Sequence, residues 1–378
     1  MSEPEQTLTV DEFLPSVVVN GLRRVFAPFN GPNTIGNSPI FWIGFLFVSL
    51  ITVIYPILTT PFRVLNTTGY MVWVFLALSL TFIWGYTGIF SFGQTAFFGL
   101  GGYTFGVVGI NVVELTGATN LALLASVILP AVFAAIVGYF MFYGRVSGVY
   151  VAIITLAVTL ILELLFGRTA GPQYTIGAAA LGGFNGMTNI PSLAFGVDPI
   201  AISLEPVLMY YFVVGLLITG YLLLRYVVNS TYGYVLIAVR ENETRTEMFG
   251  YDIRRIKLQV FTAGGGIAGL SGALFASWNN FISPSVMGIA TAALPVIWVT
   301  IGGRQTILGA IFGAVGLQVM DNELAAVGSE YSVIFIGGIL LIVILYFRNG
   351  VVPTLAERIE NRVETSSEET ATIEKSDI

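Results

Sequence analysis

Residues 225–257 read RYVVNSTYGYVLIAVRENETRTEMFGYDIRRIK. The stretch holds six of the sixteen basic residues of the chain (Arg225, Arg240, Arg245, Arg254, Arg255 and Lys257) and four acids, Glu241, Glu243, Glu247 and Asp252. The rest of residues 38–347 carries only scattered charges. A polar island of this size between long apolar runs must lie in water, because ionised side chains are costly inside a bilayer. Its arginine excess places it on the cytoplasmic side of a membrane. It also reads as an ordered surface helix, of the kind a membrane protein can present to a soluble partner.

The composition agrees. Of 378 residues, 55% are hydrophobic and 10% charged, and the mean hydropathy is +0.84. Soluble domains carry about 25% charged residues. Each apolar run is roughly as long as a bilayer-spanning helix requires. The predicted fold is therefore all-α: a polytopic integral membrane protein of about ten transmembrane helices, with both termini in the cytoplasm. Cysteine and histidine are absent. That excludes disulfides, thiol chemistry and Cys- or His-based metal sites, and it removes the usual proton relay. Only two basic residues are Lys, acids outnumber bases by six, and the sequence pI is about 4.8. Such a balance suits a salt-adapted organism. The acidic N-terminus shows no basic-then-apolar signal pattern. The polar stretch 360–378 is expected to be disordered.

The predicted spans are about 38–59, 64–85, 89–110, 120–143, 147–167, 207–225, 257–280, 286–302, 305–320 and 331–347. Residues 1–37 form a cytoplasmic lead-in, with a short interfacial helix over 14–29 that sets Arg23 and Arg24 at the membrane surface. Residues 348–378 form an acidic cytoplasmic tail. With ten spans, Arg23, Arg24, Arg145, the 225–257 island, Arg304, Arg348, Arg358 and Arg362 fall on one side, and Arg63 and Arg168 on the other. Spans 286–302 and 305–320 are short, so Gly302-Gly303-Arg304 either joins two spans or breaks a re-entrant pair. The long outer loop, 168–206, is too polar to span and too apolar for a plain linker. It is expected to fold back over the mouth of a pore.

Glycine numbers 43 residues. Gly265/Gly269 and Gly309/Gly313 are spaced for close helix approach. Packing alone accounts for most single glycines, but Gly85, Gly88, Gly93, Gly99, Gly102 and Gly106 are denser than packing needs. Broken helices of this kind are tolerated at membrane depth where backbone lines a cavity. Tyr86, Thr87, Ser91, Gln94, Tyr103 and Trp298 put polar groups and aromatic faces there. They are candidates to line or gate a route, and equally candidates to bond neighbouring helices. Phe82-Ile83-Trp84 before Gly88 echoes Val296-Ile297-Trp298 before Gly302, a match short enough for chance.

No Walker A loop, GxSxG elbow or acid pair in a plausible cleft occurs, so the chain is not expected to be an enzyme or to hydrolyse ATP. Embedded ionisable groups are few: Glu163, Arg304, Asp321 and Glu323. An ion-coupled carrier needs more, so energy is expected to arrive from outside the chain. Glu163 reads first as a polar contact.

At this point the chain resembles a known family. Glu241–Gly250 (ENETRTEMFG), ahead of YDIRRIK, is similar to the cytoplasmic coupling loop of ABC importer permeases of the branched-chain amino-acid and urea type. GYTGIFSFGQTAFFGLGGY (85–103), SGVYVAIITLA (147–157), GFNGMT (183–188), GIAGLSGAL (266–274) and GGRQTILGA (302–310) resemble that family's segments in order, over about residues 64–355. The likeness is to the LivM-like member of the permease pair rather than the LivH-like one. Gln94, Gly101-Gly102-Tyr103, Phe184-Asn185-Gly186 and Arg240–Arg245 resemble the urea-type subunits, whereas Leu156 stands where that type usually has Gln.

The resemblance implies a transport subunit with a coupling loop over 226–256, in which Arg240, Glu241, Glu243, Arg245, Gly250 and Arg254 engage the ATPase. It implies a second, LivH-like permease, two cytoplasmic ATPase subunits and an extracellular solute-binding protein as partners, within plasma-membrane lipid and without nucleic acid. No cofactor is expected on this chain, since ATP would be used by the partner subunits. The cargo expected is a small neutral or zwitterionic nitrogen compound, urea first and branched-chain amino acids second. A stand-alone channel or secondary transporter is the alternative from another class.

Overall fold

The computed structural model describes residues 16–356 and 358, apart from 172, 197–199, 328 and 348. The first fifteen residues of the expected lead-in, Arg348, Arg362 and most of the acidic tail lie outside the described residues. The chain is helical almost throughout. In order come α1 (Ser16–Phe26), α2 (Pro39–Leu58), α3 (Pro61–Leu80), α4 (Gln94–Thr116), α5 (Asn120–Tyr143) and α6 (Val149–Gly167). After the long loop follow α7 (Pro206–Asn229), α8 (Thr231–Glu241), α9 (Glu243–Met248), α10 (Ile253–Asn279), α11 (Ile289–Gly302), α12 (Ile307–Val327) and α13 (Ser329–Tyr346).

Local sequence explains the boundaries. Pro39, Pro61 and Pro206 open α2, α3 and α7 at the position where a missing N–H costs nothing. Asn242 and Asp252 cap α9 and α10 by accepting from the backbone N–H of Arg245 and Arg255. Gly117, in left-handed conformation, ends α4.

Eight of these helices are long and apolar enough to cross a membrane: α2 to α7, α10 and α12. The other two expected spans correspond to α11 and α13. At 14 residues, α11 reaches about 21 Å at 1.5 Å per residue, short of a hydrocarbon core of about 30 Å. It is therefore a short helix, preceded by the 3-10 turn Pro284–Met287. α12 runs a full 21 residues, longer than the predicted 305–320, and is long and apolar enough to cross a membrane.

The centre of the bundle is α3, α4 and α10, which the other helices enclose, whereas α2 has almost no buried surface. In lipid there is no hydrophobic drive between helices, so close packing must hold the centre together. It does so backbone to backbone. A Cβ on Gly101 of α4 would run into the Gly269 backbone of α10, and one on Gly272 of α10 into the Phe98 carbonyl of α4.

Both ends of the bundle are well defined. One end carries the basic segment, α8 and α9. The N-terminal lead-in joins this end, since Arg225 and Asn229 donate to the Phe29 carbonyl at 2.8 Å each. So does the C-terminal side, where Gly350 packs on Gly302 and Gly303. The opposite end carries the loop 168–206, which folds into two small antiparallel hairpins, Thr175–Ile176 with Ala179–Ala180 and Ala194–Phe195 with Ile202–Ser203. Asn111 of α4 pins the first through Ile176 and Ala178. Thr119 pins the second through Ala194, and Met187 pairs with Ile282. The loop is thus fastened across the ends of α4, α5 and α10.

Candidate coupling site and pathway elements

The polar island is shorter in water than its sequence suggests, because α7 runs on to Asn229 and α10 begins at Ile253. Arg225 is the clearest departure: it is buried to 1% exposure, not at a surface. Its guanidinium donates to the carbonyls of Phe29, Ile35 and Gly36, to Tyr221 Oη and to Asn37 Oδ1, at 2.6–3.1 Å. It also lies 4.7 Å from the Trp42 ring centroid and 4.9 Å from that of Phe41. No acid pairs with it among the described residues; its charge is met by carbonyl dipoles and aromatic faces. Arg225 therefore straps residues 29–37 onto α7.

α8 is held beneath the bundle by buried Leu236 and Val239 and by Tyr232, whose hydroxyl donates to Gln259 Oε1 at 3.2 Å. Burial pushes the Tyr232 phenol pKa above its ordinary value. Arg240, at the end of α8, was expected to face the ATPase. The structure turns it inward. Its Nη1 donates to the Gly85 carbonyl at 2.7 Å, while Nε and Nη2 bond Glu241 at 3.0 and 2.8 Å. Glu241 thus orients Arg240.

α9 is the tip of this end. Thr246 is buried against the bundle, while Glu243, Thr244, Arg245, Glu247, Met248, Phe249 and Gly250 are exposed. Glu243 forms an ion pair with Lys257 of α10, so it holds α9 in place as well as facing solvent. Gly250 has φ +90° and nothing within 4 Å of where a Cβ would stand. It is required for its left-handed backbone, not for space. Arg254 shares a polar cleft of about 260 Å³ with Arg145, Glu243, Glu247 and Lys257. Sequence reasoning passed over Met248 and Phe249, whose side chains are 82% and 78% exposed. Two large apolar groups beside charged ones on a free tip fit a socket in a partner better than open water.

The pathway candidates divide into groups. At its end, α3 widens into a π-type turn over Thr81–Gly85, an irregularity common at functional sites. Residues 86–93 then run mostly outside regular helix before α4 begins at Gln94. All six candidates are buried to 1–2% exposure. Thr87 donates to the Ile83 carbonyl at 2.5 Å, and Ser91 Oγ accepts from Gly93 N–H at 3.0 Å. Phe92 is tied to α6 through Thr155 and Thr159. Ser79 donates to Gln94 Oε1 at 3.1 Å. The atoms Tyr86 Oη, Gln94 Nε2 and Tyr103 Oη have no hydrogen-bond partner among the described residues.

Gln94 and Tyr103 are nine residues apart, about half a turn out of phase at 3.6 residues per turn. Gln94 meets α3 at Ser79, whereas Tyr103 stacks on Phe166 of α6 with centroids 4.2 Å apart. One route along α4 therefore does not join them. Trp298 packs edge-on to Trp73 at 5.9 Å, and Trp73 stacks on Phe98, one turn from Gln94. Gln94, Phe98, Trp73 and Trp298 thus share one side of α4. Glu163 approaches Gly288, which opens the short α11. A carboxylate at a helix N-terminus is stabilised by the helix dipole, which is the polar-contact role its sequence position suggested.

A bundle with buried, broken helices at its centre and a free charged tip at one end is the build of a membrane transport subunit. The comparisons make that specific: residues 60–344 match the family described as branched-chain amino acid transport system, permease component, and the chain belongs to that family. It is a multi-pass plasma-membrane permease subunit of an ABC importer and is not itself an enzyme. It is 26% identical over 353 residues to the high-affinity branched-chain amino acid transport system permease protein LivM of Escherichia coli K12, covering 88% of this chain and 80% of that one. The LivM protein of Salmonella typhimurium is 26% identical over 80% of this chain and 73% of its own. A probable LivM of Methanocaldococcus jannaschii is 22% identical over 74% of this chain and 89% of its own. No solved structure matches. None of these relatives is named for urea, so the preference for urea drawn from Gln94 and its neighbours is not supported.

Proposed function

We propose that this chain carries branched-chain amino acids inward as one of two permease subunits. The second subunit is LivH-like, two ATPases bind the basic end in the cytoplasm and use ATP there, and a solute-binding protein docks on the hairpins of the opposite end. The names of the relatives favour this cargo over urea.

One observation carries the mechanism: Arg240 joins the coupling segment to the broken end of α3 through the Gly85 carbonyl. When ATP binding draws the two ATPases together, α9 moves with its socket and Met248 and Phe249 transmit the pull. Arg240 hands that displacement to Gly85 and hence to residues 86–93. Because those residues lack a helical ladder, they rearrange at lower cost than a regular helix. The route follows the side of α4 that bears Gln94 and faces Trp298. Ser91, Thr87 and Tyr103 hold the surrounding helices in place.

Uptake of labelled leucine and labelled urea, in cells with and without the gene, tests the cargo. Leucine uptake that depends on the gene supports the proposal. Gene-dependent urea uptake with unchanged leucine uptake would reverse it.

A further inference from the structure

Beside the coupling link lies a second pocket, of about 320 Å³, within the ~300–1,000 Å³ typical of small-molecule sites. Its walls come from four places that are distant in sequence: Asn33 and Thr34 of the strap, Arg240 of α8, Arg304 of the α11–α12 turn, and Asn349 beyond α13. Tyr86 also lines it, and its buried hydroxyl has no hydrogen-bond partner among the described residues.

The charge in this pocket is one-sided. Arg304 is exposed and has no acidic partner among the described residues; its guanidinium lies 5.8 Å from the Trp84 ring centroid. Arg240 uses three of its N–H donors on Glu241 and Gly85, out of the five a guanidinium offers. Thr306, in the wall, precedes the N-terminus of α12, the positive end of that helix. Among the described residues no carboxylate lines the pocket. Ile35, Ile237 and Pro353 add apolar surface beside the polar groups.

We propose that this pocket is an exit-side site for the α-carboxylate of a small apolar amino acid, through which released cargo restrains further transport. It rests on the cargo reading above. The carboxylate bridges Arg240 and Arg304 in the charge-assisted geometry that guanidinium groups favour and accepts from Tyr86 Oη. The apolar side chain lies on Ile35, Ile237 and Pro353. A carboxylate here takes the two N–H donors that Arg240 leaves free and draws its guanidinium toward Arg304, and so slackens the link between the coupling segment and the helix break. Coupling of this kind is reciprocal, so the ligand binds the idle transporter best.

The test uses the assembled transporter in nanodiscs, without its binding protein. Tritiated leucine should bind saturably and depress ATPase activity. Arg304→Gln should weaken that binding about tenfold, the loss expected for a hydrogen bond to a charged group, and relieve the inhibition. The competitor 4-methylpentanoate, which keeps the carboxylate, should displace leucine, whereas isopentylamine, which lacks it, should not. Binding unchanged in Arg304→Gln, or displaced by the amine alone, overturns the site. Displacement by inorganic phosphate but not by 4-methylpentanoate makes it a phosphate site. Loss of binding when phosphatidylglycerol replaces phosphatidylcholine makes it a lipid headgroup site. Either result overturns the proposal. If only the cargo reading is wrong, leucine uptake fails with the binding protein present, yet 4-methylpentanoate still binds in an Arg304-dependent way.

Discussion

Two glycines mark two regions built on opposite principles. Gly85 ends α3 where backbone meets backbone: a Cβ there would run into the Arg304 carbonyl. Gly250 ends α9 in open space, with nothing within 4 Å and a φ of +90°. The break in the membrane is fixed by its neighbours, whereas the coupling tip is fixed by its own backbone and left free to meet something else. Arg240 connects the two. A transporter needs this division. A signal received at a tip that touches little of its own chain must reach a core that tolerates almost no displacement.

The largest effect should follow from filling the crowded side. Gly85→Val places a branched side chain against the Arg304 backbone, and overpacking of this kind costs typically ~1–3 kcal/mol or more. Transport should be abolished, and the thermal midpoint of the purified complex should fall by several degrees. A Gly85→Val protein with normal uptake would mean that the break is looser than its packing indicates.

Cutting the connection comes next. Arg240→Gln removes the charged donor to the Gly85 carbonyl and frees Glu241. Hydrogen bonds to charged groups contribute ~1.5–3 kcal/mol, so uptake should fall about tenfold or more. The ATPases should remain bound and still hydrolyse ATP, now uncoupled from transport. Loss of ATPase binding instead would show that Arg240 serves the docking surface.

Gly250→Ala tests the free side. An alanine has room there, so the only penalty is the left-handed backbone, roughly 1–2 kcal/mol. Uptake should fall severalfold while the thermal midpoint of the bundle stays put, because the tip contributes little to the core. A drop in that midpoint as large as that of Gly85→Val would erase the distinction between the two regions.

Much of this was legible in the sequence. The charge pattern of 225–257 located the polar segment, and each of the ten predicted apolar runs coincides with a helix, although eight of those helices are long and apolar enough to cross a membrane. What sequence could not give is direction. Arg225, Arg240 and Arg245 look alike in one basic stretch, yet Arg225 is buried under the N-terminal strap, Arg240 turns to Gly85, and only Arg245 stays in solvent. The difference is made by residues 29–37 and by Gly85, about 190 and 155 positions away and silent in any local pattern. Helical phase offered one usable signal that was missed. The nine-residue spacing of Gln94 and Tyr103 already put them on opposite sides of one helix.

Gln94 should give the smallest effect and the sharpest reading of the crowded side. Its Nε2 has no hydrogen-bond partner among the described residues, and its Oε1 accepts from Ser79, which also bonds the Leu76 carbonyl at 2.7 Å. Turned over, the amide donates to Ser79 Oγ while Ser79 keeps its bond to Leu76, so one side of the amide is a tie between helices in either orientation and the other side is unpartnered. Gln94→Leu keeps the bulk and removes one neutral hydrogen-bonding group, worth ~0.5–1.5 kcal/mol. If the route follows this side of α4, leucine uptake should fall about threefold, in keeping with that energy range, at unchanged membrane abundance and ATPase binding. If uptake stays at the wild-type level while the thermal midpoint drops, Gln94 is a tie between α3 and α4, and the route must lie elsewhere.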